Sequence, residues 1–116
     1  MIKNISKNTI IANHELAARS VWDRGTGLIF KRFADGKMDA MIFEKCGSLH
    51  TFFMNYKFDA FFVDKSKKVI KLYRSASPWR IYNSGGGIFQ QCTAIECPVG
   101  TINAARIEIG DIIEWN

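Results

Sequence analysis

The chain has 116 residues, 16 basic and 11 acidic side chains, a formal charge of +5, and 47% hydrophobic and 13% aromatic content. At this length a chain buries roughly two-thirds of its unfolded surface, so residues 1–116 read as one compact domain that needs no disulfide or metal to fold. Three cysteines, an odd number without CxxC spacing, exclude a disulfide framework and point to a reducing compartment, and the absence of a long apolar run in MIKNISKNTIIANHE leads us to expect a cytoplasmic protein without membrane association.

In chain order, Thr9 to Ala18 reads as a first strand. Ser20-Val21-Trp22-Asp23 has capping-box form, which predicts a short helix from Val21 to Gly25 or Gly27. Asp39 to Lys45 alternates as a strand, and Gly47-Ser48 turns it into the segment HTFFMNYKFDAFFVD, residues 50–64. There His50 to Met54 and Phe58 to Val63 are β-favouring runs separated by Asn55-Tyr56-Lys57, which predicts a hairpin. Asp64-Lys65-Ser66-Lys67 forms a tight turn into the strand Val69 to Arg74. Pro78 breaks the pairing, Ser84-Gly85-Gly86-Gly87 is a loop, and Ile88 to Cys97 is a strand ended by Pro98. Thr101 caps a helical turn through Ala105, and Ile107 to Trp115 closes the chain as strand. The expected fold is mainly β: a small antiparallel β-barrel or folded-sheet domain with two short helices.

Asp59 stands out because it is a carboxylate in an apolar strand. Hairpin pairing would put it on a face with Thr51, Phe53 and Phe61, where it must find donors: Thr51, Asn55, backbone N–H groups or an arginine. A structural role pinning the turn is the favoured reading, with ligand binding or catalysis as the alternative. The same register keeps His50 from Asp59, on the order of 13 Å apart along the strands even after a one-residue slip. No acidic residue occurs between Asp64 and Glu96, whereas Lys65, Lys67, Lys68, Lys71, Arg74 and Arg80 all fall there. Such a stretch attracts anions, or is a solvated strand edge.

Three stretches resemble the domain of unknown function 192 family, found in bacteria and archaea: Arg24-Gly25-Thr26-Gly27-Leu28-Ile29-Phe30, the 50–64 segment, and Pro78-Trp79-Arg80 with Ile95-Glu96-Cys97-Pro98-Val99-Gly100-Thr101. The similarity covers roughly Ala18 to Trp115. It departs from the family pattern at Lys31, Lys57, Phe58 and Cys97, the last favouring a buried, inert thiol. Many relatives look exported or membrane-anchored, and no such leader is expected here. The resemblance implies a small β-rich fold with short helices and implies no reaction.

The candidate ligand-binding residues are Arg24, His50, Met54, Asp59, Trp79, Arg80 and Glu96, of which Arg24, His50, Asp59, Trp79 and Glu96 are expected to converge at one end of the barrel. Arg24 would pair with Asp59 or Glu96, Glu96 would be satisfied by Arg24 or Arg80, and Trp79 would either pack or stack on a sugar or base. The leading functional reading is a non-catalytic ligand-binding or accessory domain for a small-molecule or protein ligand. A small acid–base hydrolase using Asp59 or Glu96 with His50 is the second reading. A nucleic-acid module using residues 65–80 is the third and less favoured. No cofactor or metal is expected, since Cys46 with His50 does not make a zinc site and the triple glycine lacks a P-loop ending.

Overall fold

The computed structural model describes residues 1–18, 38–50, 56–85 and 91–116. The central layer is a mixed five-stranded sheet. It contains β3 (Glu15–Ala17), β4 (Ala40–Phe43), β6 (Phe58–Asp64), β7 (Val69–Ala76) and β9 (Cys92–Cys97), in the order β3-β4-β9-β6-β7. A three-stranded sheet, β10-β1-β2, is built from β1 (Ile2–Asn4), β2 (Thr9–Ala12) and β10 (Ile113–Trp115). A two-stranded ribbon pairs β5 (Ser48–His50) with β8 (Ile81–Asn83), and among the described residues one short helix, α1, spans Thr101–Ala104.

β6 is apolar on both faces because both faces are covered, as in strands sandwiched between layers. Phe61 and Val63 face one hydrophobic cluster with Ile95, Cys97, Ile2, Ile113 and the helix residue Ile102. Phe58, Ala60 and Phe62 face the other, with Met41, Phe43, Ala94 and Leu49. The three-stranded sheet and α1 therefore cover one face of the central layer, and the β5–β8 ribbon packs on the other through Leu49 and Tyr82.

The mainly β architecture is as expected, but several details differ. The described sheets are open and do not close into a barrel, and β3 runs parallel to β4, so the central sheet is mixed. The hairpin of 50–54 with 58–63 is not what organises β6. Both of its edges are occupied, by β7 and by β9, and His50 pairs with Ile81. Local spacing favoured the nearest apolar run, whereas β9 offers six successive partners from Asp59↔Cys97 to Asp64↔Cys92; residues 51–55 lie outside the described residues. The single strand expected over 9–18 is split at Asn13 and His14, whose N–H groups both donate to the Asp39 carboxylate at 2.8 Å, turning the chain from one sheet into the other. Of the two expected helices, the one at 101–105 forms, and the one following Ser20 lies outside the described residues. The Asp64–Lys67 turn forms as expected, with Lys67 N–H donating to Asp64 C=O and the Asp64 carboxylate accepting from Ser66 and Lys68 N–H.

The chain termini are joined by a polar cluster. Asp111 accepts from the buried Asn4 amide at 2.8 Å, from the Lys7 ammonium at 2.8 Å and from the Glu108 N–H at 3.0 Å. Burial alone would raise the Asp111 pKa, but these donors outweigh it and hold the carboxyl below its usual range. A folded pKa below the unfolded one contributes stability at neutral pH that is lost as pH falls through the carboxylate range. Asp111→Asn should therefore lower the urea midpoint at pH 7 and narrow the gap to wild type as the buffer is taken to acid pH. A gap that is constant with pH would show that the cluster's charge contributes nothing.

Candidate functional site

The structure gives Asp59 a definite role. β7 carries one extra residue opposite it: Phe58 pairs with Ala76 and Ala60 with Tyr73, two steps on β6 against three on β7. Ser75 sits in this bulge at φ 51 and turns its N–H to Asp59 Oδ1 at 2.9 Å. The other oxygen, Oδ2, accepts from Gly100 N–H at 3.1 Å and Ile102 N–H at 3.0 Å, the amides that open α1. Thr101 does not cap this helix as the sequence suggested. The cap position is Gly100, at φ 96 where glycine avoids a Cβ penalty, and no flanking side chain caps it. A buried carboxylate from a distant strand supplies the cap instead. Of the donors considered for Asp59, backbone N–H groups are thus the ones observed; Thr51, Asn55 and Arg24 lie outside the described residues.

Glu96 lies one register step away and on the other face. It pairs with Ala60 on β6 and Met41 on β4, whereas Asp59 pairs with Cys97. Asp59 and Cys97 turn toward the helix-side cluster, and Cys97 Sγ–H reaches the Asp59 carbonyl at 3.7 Å. Burial, then the Asp59 charge, pushes the Cys97 thiol pKa far up, consistent with an inert thiol. Glu96 is 3% exposed on the ribbon side, and its Oε2 has no hydrogen-bond partner among the described residues. Burial pushes its pKa up to about 8, so the carboxyl is protonated at neutral pH. The two carboxyl groups therefore do not meet, and the central sheet lies between them.

The remaining candidates separate as well. Trp79 and Arg80 are exposed in the loop that leads into β8. Two tyrosines that sequence reasoning passed over hold that loop. The Tyr82 hydroxyl accepts from Ser77 N–H at 2.6 Å and donates to Ser77 C=O at 3.1 Å, while the Tyr73 hydroxyl donates to Asn83 C=O at 2.6 Å. Their rings meet edge to face at 4.8 Å between centroids. Nothing in the flanking residues Leu72, Arg74, Ile81 and Asn83 singles these tyrosines out, and only pairing of β8 on the ribbon side brings them together. The His50 backbone is placed opposite Ile81 in the ribbon. Arg24 and Met54 lie outside the described residues.

The basic stretch does not form one face. Lys65, Lys67 and Lys68 sit at the β6–β7 turn, and Arg80 follows the far end of β7, whose eight residues span roughly 25 Å. Lys67 is engaged with Trp115, its ammonium 4.3 Å from the ring centroid, and Arg74 donates to Asn103. Among the described residues no group of three or more His, Cys, Asp or Glu side chains converges to hold a metal ion. No helix among them is long and apolar enough to cross a membrane.

This is a small, open-sheet β-domain in which a buried aspartate ties a strand bulge to a helix start. The chain belongs to the domain of unknown function 192 family, described as Uncharacterized ACR, whose sequence model matches residues 3–115. It is 32% identical to the UPF0127 protein of Pyrococcus horikoshii over 117 residues, covering 99% of this chain and 98% of that one. To the UPF0127 protein of Thermococcus sibiricus it is 46% identical over 68 residues, 59% of this chain, and it spans less than half (42%) of that relative's length. In structure it is similar to a protein of unknown function from Novosphingobium aromaticivorans, with a TM-score of 0.72, 20% identity, and coverage of 87% of this chain and 74% of that one. A Sinorhizobium meliloti protein aligns with a TM-score of 0.70 at 18% identity, over 86% of this chain and 79% of that one. These likenesses establish the fold and assign no activity.

Asp59→Ala should leave three backbone N–H groups unpaired and destabilise the fold by about 1–3 kcal/mol, read as a lower urea midpoint at unchanged m-value. An unchanged midpoint would contradict the buried cap. For Glu96 the folded pKa of about 8 lies above the ordinary value of 4.5. Between those values the folded state holds a proton the unfolded chain has lost, so stability falls as pH rises, by up to about 1.4 kcal/mol per pH unit. Glu96→Gln should flatten that slope; a pH profile identical to wild type would refute the assignment.

Proposed function

We propose that this chain is a non-catalytic binding domain that holds an acidic, partly apolar segment of a protein partner against Trp79, Arg80 and Ile81. The observation that carries this reading is Trp79, a bulky residue held at φ 62 with 60% of its surface in solvent. A left-handed backbone at such a residue costs about 1–3 kcal/mol, and burial of the ring does not offset it here. Backbone strain that presents a side chain outward is characteristic of binding surfaces, and Trp and Arg are the residue types that dominate interface energetics. Ile81, two residues on and 64% exposed, offers aliphatic surface as well. An acidic partner suits a chain of net charge +5 whose residues 65–95 contain no carboxylate.

The aliphatic character of Ile81, and the separation of Arg80 from the lysine turn, support a protein segment over a nucleic acid, which needs several phosphate contacts along one track. The acid–base reading draws no support from the described geometry, because Asp59 is committed to three backbone donors and Glu96 lies across the sheet.

Trp79→Gly relieves the backbone without touching the core. It should leave stability unchanged or raise it by up to about 1 kcal/mol. A loss of about 3 kcal/mol would show that the ring is part of the packing and overturn the proposal. In fluorescence anisotropy, a labelled peptide of glutamate and leucine should bind wild type and lose about tenfold or more in affinity on Trp79→Gly. Binding of single-stranded RNA with steep salt dependence and no binding of the peptide would replace this reading with the nucleic-acid one.

A further inference from the structure

We infer that Cys46 and Cys92 form a neighbouring dithiol that closes to a disulfide on exposure to a low-molecular-weight disulfide such as oxidised glutathione. β4 and β9 pair from Met41↔Glu96 to Phe43↔Ala94. The strand pairing ends there, Lys45 takes φ 53, and beyond the turn Cys46 N–H donates to Cys92 C=O at 2.8 Å. That bond sets the Cys46 backbone beside that of Cys92. Backbones joined by such a bond have Cα atoms roughly 5–6 Å apart. The spacing falls within the roughly 4.4–6.8 Å range of disulfides. Both cysteines indeed belong to the ribbon-side cluster, Cys92 buried in it and Cys46 packed against it. None of the three cysteines is in a disulfide in this structure.

The two thiols have complementary access. Cys46 is half-buried and donates its S–H to Ser48 C=O at 2.9 Å, whereas Cys92 is 3% exposed. Cys46, as thiolate, attacks one sulfur of oxidised glutathione and expels a glutathione thiolate. Cys92 then gives up its proton to solvent and attacks the Cys46 sulfur of the mixed disulfide, expelling the second glutathione. Two electrons pass from the protein thiols to the oxidant, which leaves as two reduced molecules. The bond ties the chain just ahead of β5 to the central sheet. Cys97 cannot take part, because it lies in the opposite cluster with its thiol turned to Asp59.

The test is to incubate the native protein with oxidised glutathione, then unfold, alkylate and weigh it. Wild type should lose the mass of two hydrogens and retain one alkylatable thiol, with a linked peptide pair containing Cys46 and Cys92 that dithiothreitol separates. Cys97→Ser should still close the bond. Cys92→Ser should stop at one glutathionyl adduct on Cys46, and Cys46→Ser should form no intramolecular bond. Wild type that accumulates stable glutathionyl adducts without losing hydrogens, or a linked pair that includes Cys97, would overturn the inference.

Discussion

The Asp59 carboxylate is the constraint on which the arrangement of the central layer depends. A charged group 2% exposed inside a strand is costly unless its lone pairs are used, and here they receive amides from two separate elements. One is the bulge of β7, where Ser75 would otherwise present an unpaired N–H beside the ladder. The other is the first turn of α1, too short to stabilise itself and without a side-chain cap of its own. The same carboxylate thus fixes how β7 bends and where the helix docks on the sheet. Alanine there would answer neither requirement, and asparagine, with one acceptor oxygen, only one of them.

Glu96 shows the opposite condition on the other face. Its cross-strand neighbours Met41 and Ala60 offer no donor, and a carboxyl so enclosed keeps its proton. The difference between two acidic residues on adjacent, paired strands is therefore one of environment. Asp59 meets backbone N–H groups, and Glu96 Oε2 meets no donor among the described residues. Because the sheet separates them, they act on different layers and do not share a proton.

Membership of the domain of unknown function 192 family spans residues 3–115 and carries no reaction with it. The functional argument rests on what the fold leaves exposed. Tyr73 and Tyr82 use their hydroxyls to hold the 77–83 segment, and this places Trp79 and Ile81 in solvent at the edge of the ribbon layer.

Much of the local structure was legible in the residues themselves. The β6 and β7 strands, the Asp64–Lys67 turn, the end of β9 at Pro98 and the helical turn after Gly100 all follow from short-range chemistry: branched and aromatic runs, turn-forming polar residues, and a proline that cannot donate. The unusual position of Asp59 was legible too, because a carboxylate flanked by apolar residues must be satisfied. Its partners were not, since Ser75, Gly100 and Ile102 are remote in sequence and contribute only backbone amides, which every residue possesses. Strand pairing was equally hidden. Alternation tells which side chains share a face but not which strand lies alongside, so β6 seemed to need His50–Met54 when β9 and β7 were its neighbours. Closure was undetermined for the same reason, and so was the approach of Cys46 to Cys92. Sequence by itself determined the strands of the central layer around Asp59 and the groups that burial makes expensive, but not β1, β8 or the split of 9–18 into two strands. Only the tertiary structure decided which distant amides, edges and thiols meet them, because those contacts arise from packing whole layers together.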